Sequence, residues 1–380
     1  MGDSVRFDYQ HEQSVTIISG ADSMLRLADY FESQQANQLN VLVVTTQGHC
    51  ERGTLQPLLQ QLQQHRVTVI DSIQPNPDLD DLDQLIDELT VHQLDVVIGI
   101  GGGSVLDAAK VLACSLDNGN KQPLQRRFRA GETTPISRSC KLIAIPTTAG
   151  TGAEVTPFAT VWDSTNLRKH SLSGAAVAPD IAVLLPQLTQ SLPYHETLFT
   201  GLDTLSHSLE SLWNKQQTPI SEAYARQALR LTCIALPQVL AAPDNLSARA
   251  LMQQASVLAG LAISQTRTAL AHSISYPLTL HYQVPHGLAC SFTLPGIIDV
   301  LKEAQQGEPK LAWEQFEQAL ELMRQLPLAD YLQRYASWEQ IESLQEFMQS
   351  KQRSDNFITP VTEALVARVL TKSRAFLESA

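Results

Sequence analysis

Residues 95–104 read Asp-Val-Val-Ile-Gly-Ile-Gly-Gly-Gly-Ser: an unbroken apolar run, a glycine cluster, then the start of a helical pattern over 104–116. An apolar run this short, bounded by glycine, has the signature of a strand buried on both faces. Similar runs at 41–44, 67–70 and 142–145 alternate with stretches of helical character such as 81–90. Strand and helix in alternation predict a parallel α/β sheet with both faces covered. The segment 7–18 is expected to add a strand pair.

From about Thr189 the pattern changes. The stretches 221–240, 246–265, 313–325 and 362–377 carry apolar positions at helical spacing, with prolines between them and no alternating strand. The expected organisation is an α/β domain over 1–188 and an all-helical domain over 189–380.

Composition limits the function classes. The formal net charge is −12, which argues against nucleic acid as a partner. The basic residues Lys121, Arg126, Arg127, Arg129 and Arg138 are a local exception, read either as a solvated loop or as a rim that attracts an anion. No run of eighteen apolar residues occurs, the first residues lack a signal-peptide core, and mean hydropathy is −0.09. The expectation is a cytoplasmic chain with no membrane partner. The five cysteines show no CxxC spacing, as expected for reduced thiols. Cys290, just past His286, could lie near the site, with a small buried hydrophobe as the favoured role.

Glycines at 99–103 let a backbone approach a pyrophosphate, and the following helix N-terminus offers unpaired N–H groups. Tight turns use glycine too, and Ser104 could act simply as a cap. Thr147, Thr148 and Thr151 follow the fourth strand, at the sheet edge where α/β folds bind ligands. The rival reading there is a Ser/Thr-type turn before Glu154. With both loops present, nucleotide binding is the favoured reading.

The second half holds Asp203 and His207, four apart in GLDTLSHSLE, and His272 and His286, separated by Pro277 and Pro285. Helical spacing puts the first pair on one face. The prolines are expected to bend the chain, so that His286 returns from a loop. Three imidazoles and a carboxylate suit a divalent metal, whereas taken singly each residue also fits a capping or core role.

GGGSVLDAAK (101–110), IPTTAGTGAEVT (145–156), GLDTLSHSLES (201–211) and AHSISYPLTLHYQVPHG (271–287), with Pro75-Asn76-Pro77, together resemble the iron-containing (group III) alcohol dehydrogenases. The resemblance implies a Rossmann-like dinucleotide domain followed by a helical metal domain, the dehydroquinate synthase-like arrangement, with the active site between them. It implies Asp203, His207, His272 and His286 as ligands of Fe²⁺, alternatively Zn²⁺. It implies NAD(H) or NADP(H) held by Asn76, Gly101, Gly102, Gly103, Ser104, Asp107, Thr147, Thr148, Thr151 and Lys169. Such an ion acts as a Lewis acid while hydride passes between nicotinamide and a small alcohol or aldehyde. A homodimer or larger homo-oligomer is also implied.

Two positions depart from the pattern. Tyr276 stands where many members have a histidine. A phenol, ordinarily near pKa 10, relays protons poorly near neutrality, so His281 becomes a candidate replacement. Thr46 stands where NAD-preferring members often carry aspartate, which permits NADP(H). The segment 264–279 looks like the phosphonate-metabolism branch, in which Arg267 could face an anionic head group, phosphonoacetaldehyde being the leading substrate. The alternatives are a general small-alcohol or sugar-alcohol dehydrogenase of the same family and a non-catalytic nucleotide-binding protein.

Overall fold

Short runs of Val, Ile and Leu leave no polar face for water, so the strands they form must be covered on both sides. The structure, a computed structural model, describes residues 13–20, 22–33, 38–89, 93–116, 121–304 and 313–379. Two compact units divide the chain. One contains Gln13–Thr148 and Ala153–Ser191. The other contains Ala149–Gly152 and the described residues from Leu192 onward.

In the first unit the strands are β1 (Thr16–Ser19), β2 (Asn40–Val44), β3 (Arg66–Ile70), β4 (Val96–Gly101), β5 (Lys141–Pro146), β6 (Phe158–Asp163), β7 (Arg168–Ser173) and β8 (Ile181–Leu184). The helices are α1 (Ser23–Ser33), α2 (Gln47–Glu51), α3 (Gln56–Gln61), α4 (Leu79–Leu89), α5 (Gly103–Ser115) and α6 (Pro123–Phe128). Six strands form one parallel sheet in the order β1-β8-β5-β4-β2-β3. Successive side chains go to opposite faces. Leu42, Val44, Val97 and Leu142 pack with α4 and α5 on one side. Val41, Val43, Ile98 and Ile143 pack with α1 and α3 on the other.

Strand order reverses between β2 and β4: β2 leads outward to β3, whereas β4 leads to β5 on its other side. The carboxyl ends of β2 and β4 therefore mark the switch point of the sheet, the edge at which open α/β sheets bind ligands in a crevice.

Two expectations change in this unit. Instead of a strand pair over 7–18, the described part is the single strand β1, parallel to β8; residues 7–12 lie outside the described residues. The antiparallel β6–β7 pair was not anticipated. It is signalled by alternating burial in Phe158–Asp163 and by the polar turn that follows. The basic cluster is largely taken up by ion pairs: Arg126 with Glu132, Arg129 with Asp80 and Asp163, and Arg138 with Asp180.

The second unit is helical: α7 (Tyr194–Leu212), α8 (Pro219–Ala241), α9 (Leu246–Thr266), α10 (Leu270–Tyr282), α11 (His286–Ser291), α12 (Leu294–Ala304), α13 (Trp313–Arg324), α14 (Leu328–Gln333), α15 (Trp338–Ser343), α16 (Lys351–Ser354) and α17 (Glu363–Ser379). Helix α7 is buried almost continuously from Thr197 to Leu212 and forms the axis of one apolar core. Pro237 and Pro277 do not end their helices, contrary to the expected bend at 277. A proline costs a helix interior about 3 kcal/mol relative to alanine. Burial of Leu270 to Ser275, Pro277 and Leu278 supplies enough packing to exceed that cost. The turn comes later, at Gln283, in the left-handed region with φ 55°. No described helix is long and apolar enough to cross a membrane.

Candidate functional site

A helix repeats its face every three to four residues, so Asp203, His207 and Glu210 share one side of α7. His272 enters from the first turn of α10, and His286 is the first residue of α11 instead of lying in a loop. Gly287 permits this approach: a Cβ there would lie 1.8 Å from the Phe199 carbonyl oxygen of α7. Any side chain would push His286 away.

The imidazoles converge on one carboxylate oxygen. Asp203 Oδ1 lies 3.5 Å from His207 Nε2, 3.8 Å from His272 Nε2 and 3.9 Å from His286 Nε2. His207 and His272 stack with ring centroids 4.9 Å apart, and His272 meets His286 edge-on at 5.2 Å. Three imidazolium ions could not be neutralised by one carboxylate at such distances. Neutral rings in these positions would aim lone pairs at a common point. The edge of a tetrahedron with arms of about 2.0–2.1 Å is about 3.4 Å. The observed separations fit a divalent ion after a small inward adjustment.

Glu210 orients the group. Its Oε1 accepts from the N–H groups of Ala271 and His272 at 2.6 and 3.3 Å, and its Oε2 lies 2.5 Å from His272 Nδ1. With the ring proton on Nδ1, Nε2 presents its lone pair toward Asp203. Full burial pushes the Glu210 carboxyl up to about 7, against the N–H bonds it accepts. Glu210 was not singled out from the sequence, although its spacing from Asp203 and His207 put it on their face. Cys290, one turn after His286, brings its Sγ within 3.6 Å of His286 Nδ1.

The expected relay and anion residues stand as follows. Tyr276 is one turn after His272 on α10, half-buried, with the Arg353 guanidinium 4.3 Å above its ring. Arg353 also donates to Thr268 Oγ1 at 3.2 Å; nothing in the sequence pattern marked it. His281 lies about half a turn around α10 from His272, exposed and beside Phe347. Arg267 is exposed and caps α9 with φ 62° and ψ −179°, a conformation that glycine favours.

In the sheet unit, the switch-point edge carries Thr46 after β2 and the glycines after β4. The Thr45 hydroxyl donates to the Ile100 carbonyl at 2.8 Å, and Thr46 forms an isolated bridge with Ser72. Gly102 caps α5, and a Cβ on it would meet Thr148 at 3.3 Å. Ser104 Oγ accepts from Asn76 N–H at 3.2 Å, and Asn76 has φ 57°. Thr147 shares a hydrogen bond of 3.2 Å with His49 Nε2. His49 is buried, which depresses its basicity, as does nearby Arg52. It too was missed from sequence.

Asp107 accepts from the Thr160 N–H at 2.9 Å and is raised by burial. Lys169 lies over the Trp162 ring. Thr151 belongs to the segment 149–152, which packs with the helices: Thr204 Oγ1 lies 3.4 Å from both the Ala149 and Gly150 carbonyl oxygens, and a Cβ on Gly152 would lie 2.5 Å from Gly260.

Comparison with known proteins gives a consistent set of matches. Residues 14–186 match the family model for iron-containing alcohol dehydrogenase, and residues 197–359 match the C-terminal model of the same family. A phosphonoacetaldehyde reductase of Streptomyces viridochromogenes is 41% identical over 222 residues, covering 57% of this chain and 55% of that protein. A sulfoacetaldehyde reductase of Bilophila wadsworthia is 31% identical over 289 residues, covering 76% and 73%. The match thus spans little more than half the length of the first of these relatives. The crystal structure of a sulfoacetaldehyde reductase from Bifidobacterium kashiwanohense in complex with NAD+ superposes with a TM-score of 0.84 at 27% identity, covering 98% of this chain and all of that one.

Proposed function

The chain belongs to the iron-containing alcohol dehydrogenase family, and from that premise we propose that it is a metal-dependent, NAD(P)-linked reductase of a small aldehyde bearing an anionic head. Phosphonoacetaldehyde is the leading substrate. The observation that carries this reading is the convergence of three imidazole Nε2 atoms on Asp203 Oδ1.

Asp203, His207, His272 and His286 would hold the ion, and the crevice after β2 and β4 would hold the dinucleotide. When bound, the ion supplies Lewis acidity toward a substrate oxygen and the nicotinamide supplies or takes hydride. The protein's own residues do the rest. Glu210 fixes the proton of His272 on Nδ1. Gly101, Gly102, Gly103 and Ser104 would offer backbone N–H groups to the pyrophosphate. Asn76, Asp107, Thr147, Thr148, Thr151 and Lys169 would complete the cofactor contacts, and Thr46 leaves a 2′-phosphate unopposed.

The anionic head is supported by the names of the relatives and by two arginines, Arg267 and Arg353, beside the first and second turns of α10. Arg353, stacked on Tyr276, is the better-positioned of the two: Tyr276 shares a helix face with His272. His281 is supported less well as a proton relay, because it is exposed across the helix.

The test is anaerobic loading with Fe²⁺ or Zn²⁺, followed by NADH and NADPH oxidation against phosphonoacetaldehyde and neutral aldehydes of similar length. Selective turnover of the anionic aldehyde is expected. Equal turnover of neutral aldehydes would replace the substrate assignment with a general dehydrogenase. Dinucleotide binding without metal-dependent turnover of any aldehyde would point to a non-catalytic nucleotide-binding protein.

A further inference from the structure

A further side chain with donor chemistry, Cys290, lies beside the carboxylate and the imidazoles. Cys290 follows His286 by four residues on α11, so the two side chains share a face. Its Sγ lies 3.6 Å from His286 Nδ1 and 3.7 Å from Nε2. One ligand atom from each of Asp203, His272, His286 and Cys290 can be chosen so that all lie within 4.8 Å of one another. The Cys290 carbonyl accepts from Ser206 Oγ of α7 at 3.3 Å, which holds this turn of α11 against the helix carrying Asp203. The thiol is fully buried. A carboxylate and two imidazoles thus lie close to this thiol.

We propose that Cys290 is a sulfur donor of the metal centre and biases it toward Zn²⁺ over Fe²⁺. The inference rests on the metal-dependent reading above. Coordination replaces the S–H bond by an S–metal bond and releases the proton to solvent. The donor set then carries one more negative charge than the carboxylate and imidazoles alone. Thiolate is the softest ligand available here, and soft donors favour zinc relative to iron in a site otherwise built of N and O.

Cobalt(II) is a suitable probe, because its absorption reports ligand type without turnover. Apo-protein titrated with Co²⁺ should show d–d bands in the visible and a sulfur-to-cobalt charge-transfer band in the near ultraviolet. Cys290→Ser and Cys290→Ala should keep the d–d bands and lose the charge-transfer band. In competition experiments the Zn²⁺-over-Fe²⁺ preference should fall in both variants. Ligand-field bands in all three proteins with no charge-transfer band in the native chain would overturn the role of Cys290 and leave the metal reading intact. Absence of ligand-field bands in the native protein would overturn both.

Discussion

At the scale of single residues, the site depends on groups that hold the donors as much as on the donors. Glu210 is fully buried, accepts two backbone N–H groups and sets its Oε2 2.5 Å from His272 Nδ1. Glu210→Gln keeps the shape but replaces the carboxyl with an amide that can donate toward Nδ1 at every pH, which frees the other tautomer. Loss of a partner of this kind weakens metal binding by roughly 10- to 100-fold. Metal titration of the purified variant should show that loss with the helical content unchanged; unaltered affinity would remove Glu210 from the positioning role. Arg353 makes a second residue-scale case. Arg353→Ala removes a guanidinium stacked on Tyr276, and a charge-assisted hydrogen bond contributes about 1.5–3 kcal/mol. kcat/KM for phosphonoacetaldehyde should drop by roughly 10- to 100-fold, while that for a neutral aldehyde changes little. A parallel loss for both substrates would make Arg353 structural. These two residues show what was legible. Asp203, His207, His272 and His286 could be picked out as a group because imidazoles and a carboxylate at such spacings are few in the chain, and the structure brings them together. Glu210 could have been found from its helical phase. Arg353 could not, because it reaches Tyr276 from α16 through tertiary structure alone.

At the scale of elements, the junction of α5 with β6 carries a pH signature. Lys110 of α5 is fully buried and donates to the Thr156 and Phe158 carbonyls at 3.0 and 2.8 Å and to Thr156 Oγ1 at 3.2 Å. Burial pushes its pKa down to about 8, and pushes the nearby Glu154 carboxyl up to about 7. The signs follow from linkage. Glu154 binds its proton more tightly in the folded chain, so its contribution is present below its ordinary value of 4.5 and lost as pH rises through about 7. Lys110 binds its proton less tightly when folded, so its contribution is present above 10.5 and lost as pH falls through about 8. Stability from this junction should therefore be lowest near pH 7–8. Denaturant titrations across pH should show Glu154→Gln flattening the acid limb and Lys110→Met the alkaline limb. If both variants kept the parent profile, the junction would not govern it. Apolar periodicity made α5 and its neighbouring strands legible, because burial on both sheet faces dictates composition. The β6–β7 pair escaped notice because half its residues face outward and its polar turn resembles a loop. The helix through Pro277 escaped because packing overrode a local preference that sequence expresses strongly.

For the whole molecule, the proposed metal ligands and the glycine loop belong to different compact units, which gives the functional reading a test that does not require turnover. The three imidazoles and carboxylate belong to α7, α10 and α11, whereas the glycine loop and Thr46 belong to the parallel sheet. A ligand that binds only the folded state stabilises it by about 2.7 kcal/mol at a hundredfold excess over Kd. At short exchange times, where local opening dominates, Zn²⁺ should slow amide exchange in α7, the start of α10 and α11. The segments after β2 and β4 should not respond. NADPH should do the reverse, slowing exchange after β2 and β4. Asp203→Asn should erase the first response and preserve the second, because it removes the carboxylate on which the imidazoles converge. Thr46→Asp should retain the NADH response and weaken the NADPH response, since its charge would oppose a 2′-phosphate. Protection of the sheet segments by Zn²⁺ with α7 unaffected would refute the ligand assignment. Equal NADH and NADPH responses in Thr46→Asp would instead remove Thr46 from cofactor selection while leaving the crevice as the dinucleotide site.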